Sequence, residues 1–284
     1  VDTRVVNLME KYLDLNSIGL EEDDDKPIND VPLESIEQKT TGESIIPLAP
    51  SALGTKIGGG LVRGQHVVVF ARPDKGKSAF VINQAAVCIK NGFRVLFIEN
   101  EDPEVLTRLR LLSRLTERTK DELFADKEGS YKLACERGYK NFYLKELAPG
   151  NYAEVRALVD KVEPDVVILN QIRNFSVGEL SRPEQLEKAS IQARNLAKSR
   201  DCVVFSITQA GDRATGKIYL DAEDVEYSRT GVIAACDLAI AIGSDKELES
   251  RGQFMINIPR NKINNVREPV HCRLEPFISR VTGV

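Results

Sequence analysis

An α/β fold with a mostly parallel central sheet flanked by helices is expected from three observations. Short β-rich apolar runs recur along the chain, helix-length segments lie between most of them, and a glycine-lysine-serine turn joins the first such run to the helix after it. Such alternation builds a parallel sheet covered on both faces, because each crossover must pack back onto the sheet it leaves. With 284 residues and 42% hydrophobic content, the chain suffices for one large domain and an appendage.

The elements are expected in the following order. Val5 to Leu15 has apolar residues at helical spacing, and an acidic run, Glu21 to Asp25, follows it. Residues from about Asn16 to Thr41 are acidic and carry Pro27 and Pro32, which fits a tether better than a core. Residues 1–44 are therefore expected to form a short linker helix and an acidic tether, and 45–284 the main domain. Gly58 to Gly64 is a turn that feeds the first strand, Gln65 to Phe70, and Ser78 to Ala86 starts the next helix. Further strands are expected at Arg94–Ile98, Asn141–Leu144, Asp165–Leu169 and Cys202–Ile207, with helices at Glu104–Thr116, Tyr152–Val162 and Pro183–Arg200. Leu238–Ile242 and Gln253–Ile258 extend the sheet toward the C-terminus.

Bulk properties exclude several classes. Lys and Arg total 39 against 43 Asp and Glu, a net charge of −4, so no overall basic field advertises nucleic acid and any such contact must come from a local loop. The five cysteines are scattered without a C-x-x-C pair and there are only two histidines, which argues against a zinc site or a disulfide framework and fits a reducing cytosol. No run of 18 apolar residues and no leader pattern is present, so neither a membrane span nor secretion is expected. The start at Val1 in place of Met suggests an excised or processed chain.

The chemistry concentrates after the first strand. Ala71 to Ser78 nearly completes the G-x-x-x-x-G-K-[ST] phosphate loop, with Ala71 in place of the first glycine. Gly76 lets backbone N–H groups turn toward phosphate, the helix N-terminus favours anionic charge, Lys77 reaches the β- and γ-phosphates, and the Ser78 hydroxyl ligates Mg²⁺. Arg72, Pro73, Asp74, Lys75, Gly76, Lys77, Ser78 and Ala79 are thus the candidate binding residues for ATP or another nucleoside triphosphate with Mg²⁺. A hydrolase also needs an acidic group at a strand end to hold the metal or its waters, and a carboxylate to orient the attacking water. The strand Val166 to Leu169 ends in Asn170, an amide that accepts a hydrogen bond from a metal-bound water but lacks the charge. Asn170 is either a native weakening of the site or an introduced Asp-to-Asn change. Beside the neighbouring strand lie Glu99, Glu101 and Asp102; alternation places Glu99 and Glu101 on one face.

The sequence Ala71-Arg72-Pro73-x-x-Gly76-Lys77-Ser78 resembles the A-R-P-x-x-G-K-[ST] loop of DnaB-type replicative helicases, a branch of the RecA-like ring ATPases, which makes Ala71 an expected residue. The resemblance covers about Ile45 to Val284. In that family a catalytic acid is followed at fixed spacing by an arginine; Glu99 with Arg108 and Glu101 with Arg110 both satisfy it. Glu101 is preferred because it lies beyond the apolar strand, where water can reach it. By the same resemblance Gln209, ending the strand from Val203, is the γ-phosphate sensor, and Asp212 to Asp221 is the DNA-binding loop with Arg213 and Lys217 facing single-stranded DNA. Asp224 to Gly231 and Ala235 to Leu238 match the two segments that follow it in the family. Arg260 or Lys262 would be the residue that reaches the neighbouring subunit's nucleotide; the pair stands in reversed order relative to the family's K-x-R. The implied assembly is a homo-oligomeric ring, a hexamer by analogy, acting with a primase and a loader in the cytoplasm of a bacterial or phage-infected cell. Two other readings stay open: a nucleotide-binding assembly ATPase with weak or absent turnover, and a RecA- or clock-type relative.

Overall fold

The computed structural model describes residues 31–176, 180–226 and 231–284. The expected helix Val5–Leu15 lies outside them, as do residues 227–230 of the segment after the expected DNA loop. The chain divides between Thr40 and Thr41 into two units. In the first, Leu33–Thr40 is a helix where the acidic composition predicts a tether. Glu34 in its first turn and Lys39 in its last complement the helix dipole, and none of its residues is buried.

The second unit is built on nine strands: β1 His66–Ala71, β2 Val95–Glu99, β3 Phe142–Glu146, β4 Val166–Asn170, β5 Val203–Gln209, β6 Leu238–Gly243, β7 Gln253–Asn261, β8 Val270–Glu275 and β9 Arg280–Gly283. Their spatial order is β9-β8-β7-β6-β1-β5-β4-β2-β3. The six strands from β6 to β3 in this order run parallel; β7, β8 and β9 add on as antiparallel neighbours.

Alternation along each strand divides the apolar side chains into two cores. Val67, Val69, Val95, Phe97, Ile168, Phe205 and Ile240 face one side with Phe80, Ile82, Leu111 and Leu115 of helices α1 (Lys77–Lys90) and α2 (Glu104–Thr116). Val68, Phe70, Leu96, Ile98, Val167 and Val204 face the other, with Val155 and Val159 of α3 (Tyr152–Val162) and Ala189, Ala193 and Leu196 of α4 (Arg182–Ser199). Burial on both faces explains why the parallel strands read as continuous apolar runs. The outcome for function is that β1, β2, β4 and β5 all end on one edge, where the candidate residues Ala71, Glu99, Asn170 and Gln209 lie.

Candidate nucleotide site

The phosphate loop leaves β1 at Ala71 and enters α1 at Lys77. Gly76 is the residue before the helix, with φ +83° and ψ 8°, a left-handed conformation that glycine adopts without strain. Lys77 is only 6% exposed. Burial lowers its pKa from the ordinary value to about 8, against the opposing pull of Glu101. A buried ammonium in this setting is poised for an anionic partner. Flanking loop residues are tied down: Arg72 bridges Asp212 at 3.0 Å and donates to the Ala210 carbonyl, and Lys75 pairs with Glu249.

One cavity of about 380 Å³ collects most of the predicted site: Arg72, Pro73, Asp74, Gly76, Lys77, Ser78 and Ala79 line it together with Glu101 and Gln209. Of the predicted loop residues Lys75 does not line it; Lys75 lines the adjoining hollow beside Glu249, which Asp74 and Gly76 also border. The cavity also takes in Asp102 and Arg110, which the sequence places beside Glu101 and at the family's spacing from it, and Leu274, Pro276 and Ser279, which the sequence does not single out. The last three come from the end of β8 and the turn after it, and no local motif marks them; Asp102 pairs with Arg110, the arginine spaced from Glu101.

The two candidate acids separate. β2 ends at Glu99, so strand alternation does not carry through to Glu101 and the two do not share a face. Glu99 is 1% exposed and fully engaged in hydrogen bonds, whereas Glu101 is exposed and lines the cavity beside Lys77. Asn170 lies directly across from Glu99 in the parallel register of β2 and β4, and is equally buried. Its Nδ2 donates to both Glu99 oxygens, at 2.9 and 3.2 Å, while its Oδ1 has no partner among the described residues.

Arg260 and Lys262 stand elsewhere. Arg260 is opposite Ala239, which is level with Val68 of β1, and Lys262 N donates to the Asp237 carbonyl below it. These positions are about 10 and 16 Å from Ala71 along the strand direction. Neither lines the cavity of its own chain. Arg260 donates to the Cys236 carbonyl at 3.0 Å, and Lys262 lies 3.8 Å from Asp237. In the loop after β5, Arg213 is exposed, but Lys217 is committed to Asp224 at 2.7 Å.

The residues present fit a nucleotide and Mg²⁺. Gly76 enters α1 through a left-handed turn, Lys77 and the Ser78 hydroxyl line the cavity, and Asn170, which does not itself line it, holds its unpartnered Oδ1 buried as an acceptor for a donor such as water. Among the described residues no group of three or more His, Cys, Asp or Glu side chains could hold a metal ion.

Fold and cavity together define a P-loop nucleotide-binding domain of RecA-like architecture. The AAA domain family model matches residues 46–214, and the chain belongs to that family. The DNA repair protein RadA of Aquifex aeolicus is 23% identical over 202 residues, 68% of this chain and 38% of that protein. RadA of Streptococcus pneumoniae is 26% identical over 155 residues, 53% of this chain and 31% of that protein. The match thus spans about a third of either repair protein. Among solved structures, one ATPase domain superposes with a TM-score of 0.77 at 18% identity, over 89% of this chain and 95% of that one. A DnaB-like replicative helicase, solved in a study of its interactions with primase, gives 0.75 at 16% identity, over 88% and 64%. No helix among the described residues is long and apolar enough to cross a membrane.

Proposed function

We propose that the chain is the motor domain of a ring-forming replicative DNA helicase that translocates on single-stranded DNA by hydrolysing ATP between subunits. The observation that carries this is the convergence of the phosphate loop, Glu101 and Gln209 on one cavity, in a fold shared with a solved ATPase domain and with a DnaB-like replicative helicase. The backbone N–H groups around Gly76 and the Lys77 ammonium hold the β- and γ-phosphates. Ser78 and, through water, Asn170 would hold Mg²⁺, which would neutralise the charge that develops on the phosphates. Glu101 accepts a hydrogen bond from the attacking water and orients it. Gln209 contacts the γ-phosphate and reports its loss to the loop that follows β5.

Arg260 or Lys262 completes a neighbouring subunit's site, which the distance of both from the home cavity supports. Arg213 and the backbone of the loop around it track the DNA strand. A hexamer, a primase and a loader are the partners this reading implies, in the cytoplasm.

The test is direct: the purified chain should bind a fluorescent ATP analogue with Mg²⁺, form closed rings in electron micrographs, and hydrolyse ATP faster when single-stranded DNA is added. Rings that neither bind the strand nor respond to it would reject the motor role. A second reading, a nucleotide-binding assembly ATPase with slow or absent turnover, is favoured by the missing charge at Asn170, and would show tight Mg²⁺-dependent binding without turnover.

A further inference from the structure

The nucleotide reading leaves one buried acid without a task. Glu99 Oε1 accepts the backbone N–H groups of Asn100, Glu101 and Asp102 at 3.1, 3.0 and 3.2 Å, and Oε2 accepts the Thr107 hydroxyl at 2.8 Å. The three backbone donors belong to the turn that carries Glu101 into the cavity. The same carboxylate takes both hydrogen bonds from Asn170 Nδ2. A primary amide has a donor end and an acceptor end. Committing the nitrogen to Glu99 therefore fixes Asn170 Oδ1 on the opposite side, where it is buried and unpartnered among the described residues. Leaving a buried acceptor unsatisfied is costly, so the arrangement is one that a visiting donor relieves.

We propose that Glu99 is the positioning residue of the hydrolytic site. It holds the Glu101 turn by three backbone N–H groups and orients the Asn170 amide so that its oxygen receives a metal-bound water. The negative charge absent from the end of β4 is supplied one strand over, at the same register position. Asn170 is then half of a carboxylate-amide pair whose two members have divided the work of one aspartate: Glu99 carries the charge and Asn170 presents the acceptor.

Substitution chemistry follows from the hydrogen bonds. In Glu99→Gln, the oxygen can keep the three backbone donors and the 2.9 Å bond from Asn170 Nδ2, but the new NH₂ replaces the acceptor at 3.2 Å and faces Nδ2 donor against donor. The amide is then held by one bond in place of two, and a flip that pairs Oδ1 with the new NH₂ points a donor where a water proton should be received. In Asn170→Asp, two buried carboxylates meet about 3 Å apart and repel. In the double variant Glu99→Gln with Asn170→Asp, the Gln NH₂ donates to the new carboxylate and the pair is restored with its members exchanged.

The inference rests on the nucleotide and Mg²⁺ reading, and the experiment separates the two. The wild-type chain and the three variants are compared for affinity for a fluorescent ATP analogue with Mg²⁺ and with EDTA, and for thermal midpoint without nucleotide. Glu99→Gln should lose about tenfold of the Mg²⁺-dependent gain in affinity, the size typical of residues that orient a metal's ligands, while binding in EDTA stays within about twofold. Asn170→Asp should lower the midpoint without improving the Mg²⁺ gain, and the double variant should recover both. Undiminished Mg²⁺ gain in Glu99→Gln would overturn the proposal, as would thermal losses that simply add in the double variant. Should Glu99→Gln fail to fold, the comparison of Asn170→Asp with the double variant decides alone. A wild-type chain that binds no nucleotide would reject the proposed function, while the thermal ordering still tests the pairing.

Discussion

Arg173 Nη1 donates to Gln209 Oε1 at 2.9 Å and to Glu226 Oε2 at 2.9 Å. The backbone closes the same neck: Glu226 N donates to the Gln209 carbonyl at 3.0 Å and Gly211 N to that of Asp224 at 2.8 Å. The loop proposed to hold DNA thus leaves and returns beside the proposed sensor, with Arg173 across both ends. With the carbonyl end of the Gln209 side chain occupied, its NH₂ is the end left to donate to phosphate. Arg173→Ala should therefore uncouple the two. DNA stimulation of hydrolysis should drop by about tenfold, within the range of ordinary coupling energies, with nucleotide affinity changed far less. Steady-state ATPase rates with and without single-stranded DNA measure this; an unchanged stimulation factor would refute it.

Gly76→Ala tests the backbone of the phosphate loop. A Cβ there would meet Leu274 Cδ2 at 3.5 Å and Phe254 Cε1 at 3.8 Å, ordinary contacts, so space is no obstacle. The φ of +83° is the obstacle, costing an L-residue about 1–2 kcal/mol. The expected outcome is a modest fall in thermal midpoint with a disproportionate loss of nucleotide binding, because relaxing φ turns the N–H groups away from the phosphates. Calorimetry of unfolding and of binding on one preparation checks both.

His66 gives the chain a pH signature remote from the phosphate loop. Its ring is buried, Nδ1 lies 3.0 Å from the Ala235 carbonyl and Nε2 2.8 Å from Ser206 Oγ. Burial lowers its pKa from 6.5 to about 4, despite the Ala235 hydrogen bond and Asp237, which favour the charged form. The folded state therefore resists a proton that the unfolded chain accepts. Stability should be level above pH 6.5, fall as the pH drops toward 4 by about 3 kcal/mol from this group, and level off again below. Urea unfolding of the wild type and of His66→Gln across this window should differ in slope; parallel curves would contradict the assignment.

Arg260 and Lys262 should act only across a subunit boundary. Arg260→Ala with Lys262→Ala is expected to cut turnover by about 10³-fold, as loss of a trans cation does elsewhere, with nucleotide affinity preserved. Mixing this variant with Glu101→Gln should restore part of the rate, since some interfaces then combine an intact acid with intact cations. Absence of any recovery in mixed rings would argue against action in trans.

Much of this architecture is legible in the sequence, and the exceptions share a cause. Strands such as Val166–Asn170 and helices such as Tyr152–Val162 announce themselves because each is buried on a full face or a full stripe. β8 and β9 escape sequence reading: His271, Arg273 and Glu275 break the apolar run, because a strand near the sheet edge shows half its side chains to water. The cavity residues Leu274, Pro276 and Ser279 are hidden with them, since they reach the phosphate loop only through the pairing of β7 with β8. Choosing between Glu99 and Glu101 requires knowing where β2 stops, which spacing to an arginine does not reveal. Asn170 is visible as an anomaly, but its partner is not, because the register that sets Glu99 beside it is a long-range property of the sheet.

The distance of Arg260 and Lys262 from the home cavity carries a kinetic consequence. If the chemistry needs one of them, a solitary chain is a holder of nucleotide and nothing more, and the rate per molecule becomes a function of how many neighbours it has. Dilution alone should silence such a protein without unfolding it or emptying its site. Turnover would then appear only after assembly, so that fuel is spent where a ring has closed and conserved everywhere else.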